Sequence, residues 1–232
     1  MANSLWNKKR TFQIPDSLTH TTGTISAVFG STTLNVAISG LSANTLYYLY
    51  IRKVSGVTSL VFVNTVPSTY RASFSDAVLV GAFYSNGLAS VAFGSFVNID
   101  GPAQTGPIPY LPVFTGLGTV TAVELVWTRS SVNTRMEGRF TNGTVTGSLA
   151  TVTLPGALAA SAPADFVCGN YGQQGSATGS TVGYSSGSNN LFFGMANWQI
   201  GATGTNLANS AFMSFNASLP ITGWSNTPLK DL

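Results

Sequence analysis

From about Ile25 onward the chain runs as short apolar stretches broken by Gly, Asn and Ser. No window keeps a helical period for more than a turn or two, so the pattern predicts an all-β protein. Three hairpins are legible. Residues 46–53 and 57–64 flank Ser55-Gly56, and a two-residue turn there sets Ile51 opposite Leu60 and Leu49 opposite Phe62. Residues 78–84 and 89–96 flank Asn86-Gly87, the pair best suited to the positive φ values of a tight hairpin turn. Residues 120–129 and 133–141 both alternate, and a turn at Ser131-Val132 pairs Val123 with Phe140, Trp127 with Met136 and Glu124 with Arg139. A slip of one residue would drive charges into the core, so the alternation itself specifies that register.

Further strands are expected near 146–154, 164–170, 180–184, 191–198 and 210–219. About eight short strands in this half fit a jelly-roll-like sandwich. The first two dozen residues hold no sustained period. Residues 1–24 therefore read as an extended N-terminal arm and 25–100 as an N-terminal β-domain. Pro102, Pro107, Pro109 and Pro112 withdraw too many backbone donors for a central strand, so 101–111 read as a Pro/Gly-rich linker. Residues 112–232 then form the second of two β-sandwich domains.

Composition sharpens this picture. Only 7% of the 232 residues are charged, against roughly a quarter in an ordinary globular chain, while 44% are apolar. Ser, Thr, Asn and 25 Gly supply the missing polarity. A surface with so little self-repulsion suits a subunit of an assembly. The net charge of +3 rests on ten basic against seven acidic residues and gives no ground for a nucleic-acid partner. Lone Cys168 has no disulfide mate, and Lys8, Lys9 and Arg10 precede no apolar run of signal length, so cytoplasmic synthesis is expected. No apolar run approaches about 18 residues, and no membrane insertion is expected.

Reactive groups are sparse. Glu124 and Glu137 share a hairpin face, but Glu124 faces Arg139 and Glu137 is flanked by Arg135 and Arg139, the wrong setting for the general acid of a glycosidase. His20 is the single imidazole and lies in the arm, so no nucleophile triad assembles. One His and one Cys cannot form a structural zinc site. Neither catalysis nor a metal or cofactor is expected. Tyr171, Tyr184 and Trp198, in or beside a Gly/Ser-rich stretch, are candidate contacts for a glycan or a partner, with core packing as the plainer reading. In the arm, Trp6 with Lys8, Lys9 and Arg10 joins an aromatic anchor to a cationic cluster, a candidate attachment segment.

Residues 112–158, PVFTGLGTVTAVELVWTRSSVNTRMEGRFTNGTVTGSLATVTLPGAL, resemble a recurring β-domain of tailed-bacteriophage structural proteins. That domain opens on a P-F-x-G-x-G-T-V pattern and closes on V-x-L-P-x-G-L; here the closing glycine, Gly156, comes one residue early. Residues 221–227, ITGWSNT, are similar to the tryptophan-containing ending of such chains, and LSANTLYYLYIRKVSG with VLVGAFYSNG resembles modules of phage fibres and appendages. The resemblance implies a homotrimer on the virion exterior, either a capsid decoration, cement or head-fibre protein touching major capsid or neck and tail proteins, or a tail fibre that recognises a host surface glycan. A secreted carbohydrate-binding module is the reading from another class, and the missing signal segment counts against it.

Overall fold

The computed structural model describes residues 15–161, 166–174, 180–194 and 207–231. The protein is all-β, with one short α-helix among the described residues, and it divides into two compact units.

The first unit comprises Met1–Asn86, Ser90–Ala103 and Thr227–Leu232. Strands β1 (Ser17–Thr21), β2 (Thr24–Phe29) and β3 (Thr32–Ala37) form an antiparallel sheet. A second sheet is built from β4 (Leu46–Val54), β5 (Val57–Val63), β6 (Val78–Ser85) and β7 (Phe93–Val97) in the order β5-β4-β6-β7. Ile25, Ala27 and Phe29 of β2 pack against Tyr47, Leu49, Ile51, Leu60, Val80 and Phe83, so the two sheets share one apolar core. Helix α1 (Pro67–Ser73) brings Tyr70 against Tyr50 of β4. Strand β1 corrects the boundary of the arm. Leu18 is its one core-facing apolar residue and its neighbours are threonines and His20, a pattern too polar to read as a strand.

The turn at Ser55-Gly56 has φ of 51° and 80°, and the expected pairs Ile51 with Leu60 and Leu49 with Phe62 are present. Asn86-Gly87 behaves otherwise. Strand β6 pairs with β7 through Ser85 and Phe93, and Asn86 closes the loop 86–92 by donating its N–H to Ala92 O at 2.8 Å and accepting from Ala92 N at 3.2 Å. Gly87 donates to Pro109 O and accepts from Leu111 N, both at 2.9 Å, so its backbone serves a neighbouring segment and not a turn.

The second unit comprises Gly87–Ala89 and Gln104–Asn226. Its strands are β8 (Ile108–Pro109), β9 (Phe114–Thr115), β10 (Thr121–Ser130), β11 (Asn133–Thr141), β12 (Thr151–Thr153), β13 (Phe166–Gln173), β14 (Ser180–Tyr184), β15 (Asn190–Phe193) and β16 (Phe212–Pro220). All nine belong to one antiparallel sheet ordered β8-β10-β11-β16-β13-β14-β15-β12-β9. The first and last strands are joined by residues 110–113 alone. A flat sheet of this size would part its edges by about 38 Å, while the chain from Pro109 to Phe114 reaches about 18 Å at most. The sheet must therefore curl. The rings agree, since Phe114 of β9 lies 4.7 Å from Phe140 of β11 although these strands are far apart in the order. A curled sheet encloses its own core of Leu125, Trp127, Met136, Phe140, Val152, Phe193 and Met213, and it replaces the facing pair of sheets expected for this half. Breaks in the ladder between Thr121 and Glu124 and between Val167 and Gly169 are bulges that help to bend it.

Two further expectations change. Residues 101–111 are no linker: Ala103, Ile108 and Tyr110 are fully buried, β8 pairs with β10, and Thr105 donates to Arg129 O at 3.1 Å. Prolines are tolerated there because β8 is an edge, where one row of donors has no partner to serve. The 112–232 domain also loses its end, since the short turn Leu229–Asp231 belongs to the first unit, with Leu229 buried and Lys230 paired to Asp100 at 3.0 Å. The β10–β11 hairpin keeps the expected pairs Trp127 with Met136 and Glu124 with Arg139, but Ala122 at φ 49° bulges the strand and takes Val123 out of register with Phe140. Among the described residues, no helix is long and apolar enough to cross a membrane.

Candidate functional site

Trp6, Lys8, Lys9, Arg10 and Trp198 lie outside the described residues. Tyr171 and Tyr184, the other candidates for a glycan or partner contact, are both buried. Tyr171 stands edge-on to Phe193 at 5.3 Å, and burial raises the pKa of the Tyr184 phenol, with Cys168 nearby adding to the rise. Both rings pack the interior of the curled sheet, the plainer of the two readings.

The carboxylate pair resolves into exposed ion pairs. Arg139 reaches Glu124 across the hairpin at 2.7 Å, and Arg135 reaches Glu137 along β11 at 2.9 Å. His20 lies in β1 and stacks on Phe93 with centroids 4.2 Å apart and an 11° interplanar angle; burial lowers its pKa. Among the described residues, no group of three His, Cys, Asp or Glu side chains is placed to hold a metal ion.

Cys168 is the extra residue at the β13 bulge, half-buried, and burial pushes its thiol up to about 12. Because the thiolate is the nucleophile, such a rise from 9.0 cuts the reactive fraction roughly a thousandfold below pH 9. Alkylation by iodoacetamide at pH 8 should be slow in the folded protein and fast in urea. Equal rates in the two states would show that the thiol is not shielded.

The most conspicuous surface is one that sequence reasoning missed. Where residues 110–113 link the two edges of the curled sheet, Leu111 is 50% exposed and Val113 66%, and Leu88 beside them is 37% exposed. Their backbone is fixed: Leu111 donates to Gly87 O, while Val113 donates to Thr153 Oγ1 at 2.9 Å and accepts from Thr153 N at 3.0 Å. Next to this strap lies a groove of about 370 Å³ lined by Leu88, Pro109, Val126, Glu124 and Glu137. A signal was present in the sequence. Ile108 and Tyr110 alternate inward and Leu111 and Val113 outward, but the intervening prolines masked the strand-like spacing. A second groove, of about 450 Å³, runs over the outer face of β11, β16 and β13, where Arg135, Glu137, Asn170, Ser214 and Asn216 present small polar groups.

Comparison of the chain with protein-family models, with curated proteins and with solved structures finds no match.

Proposed function

We propose that this chain is a non-enzymatic structural protein of the exterior of a tailed-phage particle, a capsid decoration, cement or head-fibre subunit that assembles as a homotrimer. The observation that carries this reading is the exposed apolar strap of Leu88, Leu111 and Val113, held on a pinned backbone in a chain with 7% charged residues. Apolar side chains grouped in this way mark a contact surface, and the occupant is a second copy of the chain, since closed cyclic assemblies cover such surface on every subunit. The family resemblance adds the virion and the threefold number, with major capsid or neck proteins as further partners.

Light scattering at micromolar concentration should give three times the chain mass of 24.1 kDa. Leu111→Glu with Val113→Glu buries two unpaired charges in any trimer contact, so the double variant should run as a folded monomer with an unchanged circular dichroism spectrum. A wild-type monomer, or a double variant that stays trimeric, would sink the assembly reading. Immunogold labelling of virions then tests location: label over the head supports decoration, and unlabelled particles overturn a virion role.

One observation favours the second reading, a tail fibre binding a host surface glycan. The polar groove on β11, β16 and β13 offers carboxylate, guanidinium, amide and hydroxyl groups of the kind that pair with sugar hydroxyls. Label confined to the tail would select it.

A further inference from the structure

In the first unit, β4 and α1 gather tyrosines and arginines around a shared spot. Tyr50 and Arg52 are two residues apart on β4, so their side chains leave the same face of the strand. Tyr70 of α1 lies against Tyr50 with ring centroids 4.5 Å apart, and its hydroxyl accepts a hydrogen bond from Arg52 Nη1 at 3.2 Å. The Arg52 guanidinium lies over the Phe74 ring, its Cζ 3.7 Å from the ring centre. Arg71 is close enough that its charge opposes the upward push of burial on the Tyr50 phenol. Arg71 thus acts on the buried Tyr50 hydroxyl and Arg52 holds the neighbouring Tyr70 hydroxyl, and among the described residues no carboxylate makes an ion pair with Arg52.

Native structures rarely leave buried polar atoms unpaired. Among the described residues three buried side-chain atoms lack a partner, and two of them, the Tyr50 hydroxyl and Arg52 Nε, are in this cluster. The third is the Tyr110 hydroxyl, whose pKa is raised by burial alone, with no charged group acting on it. The Tyr50–Arg52 pair is different. A guanidinium N–H can only donate and a phenol can donate, so the two vacancies match an acceptor, and the flanking cations select a negative one. Tyr50 is fully buried, whereas Arg52, Arg71 and Phe74 are half-buried, so the cluster lies just beneath the surface.

We propose that Tyr50, Arg52 and Tyr70, with the charge of Arg71, form a binding site for a small oxyanion, taken either free or as the carboxylate of an acidic side chain on a partner protein. The inference is independent of the virion reading. It is tested by thermal unfolding of the full chain in sulfate, acetate and chloride at one ionic strength. At an anion concentration about five times Kd, the wild type should gain about 2 to 4 °C in Tm over chloride. Sulfate also strengthens apolar burial in any protein, so the deciding quantity is the difference between wild type and variants. Arg52→Gln should lose the gain. Tyr50→Phe, which keeps the ring and removes only the hydroxyl, should also lose it. A gain in sulfate alone identifies a free tetrahedral oxyanion as the source, and a gain in acetate identifies a carboxylate. If wild type, Arg52→Gln and Tyr50→Phe respond alike to every anion, the vacancies hold water and the proposal is overturned.

Discussion

Trp127→Ala is expected to destabilise the protein by about 3 to 5 kcal/mol, while Glu124→Gln and Glu137→Gln each change stability by no more than about 1 kcal/mol. The contrast comes from the two faces of one hairpin. Trp127 is fully buried, paired with Ile108 of β8 on one side and Met136 of β11 on the other. Its ring lies 6.4 Å from that of Trp224, which in turn carries the Arg129 guanidinium 4.3 Å above it. Truncation at 127 would thus open a cavity and unseat a second indole with its cation. The glutamates face solvent, where each ion pair is screened and replaceable by water. Urea unfolding measures all three. The midpoint of Trp127→Ala should fall with the slope m unchanged, because the loss lies in the native state. Equal shifts for the three variants would mean that the two faces of the hairpin have been confused.

That hairpin also shows what a sequence of this kind discloses. Strict alternation with charges on one face leaves a single workable register, so Trp127 with Met136 and Glu124 with Arg139 followed from pattern alone. The Ser55-Gly56 turn was legible for a similar local reason, because a two-residue turn there leaves one register that puts the apolar residues of both strands on one face. Where pairing is non-local the pattern is silent. Strand β16 lies between β11 and β13, and nothing in the alternation of 212–220 says which neighbours it takes. The same silence concealed the single curled sheet. Asn86-Gly87 failed as a turn because Gly87 is engaged by Pro109 and Leu111, contacts distant in sequence. At the candidate sites, core packing was the plainer expectation for Tyr171 and Tyr184 because most large rings of so charge-poor a chain are buried, and both are. The Leu88, Leu111 and Val113 strap depended on knowing that 101–111 is folded. The unpaired Tyr50 hydroxyl and Arg52 Nε are atomic facts that no residue pattern encodes.

Gly118→Ala should cost about 2 to 5 kcal/mol, whereas Gly147→Ala should be neutral or stabilise by up to about 1 kcal/mol. The string that carries the family resemblance, Phe114 to Gly118, explains the first figure. Phe114 packs on Phe140 and Leu117 is fully buried, so the segment must pass close to the loop 143–149 while keeping those side chains inward. Two hydrogen bonds lock it there, from Gly143 N to Leu117 O at 2.8 Å and from Thr146 N to Gly116 O at 3.1 Å. Gly118 holds φ of +66°, a region costly for any residue with a Cβ. A Cβ at that position would also strike the Thr144 carbonyl oxygen and come within 2.7 Å of its amide nitrogen, both parts of the backbone that cannot swing aside like a side chain. Gly147 has nothing within 4 Å of the corresponding position and no positive φ, so alanine there only reduces the freedom of the unfolded chain. Thermal unfolding of the two variants beside wild type reads the difference directly. Equally small effects would show that the interlock of 116–118 with 143–149 contributes little to closing the curled sheet, and that the glycines of the string are not held there by backbone geometry.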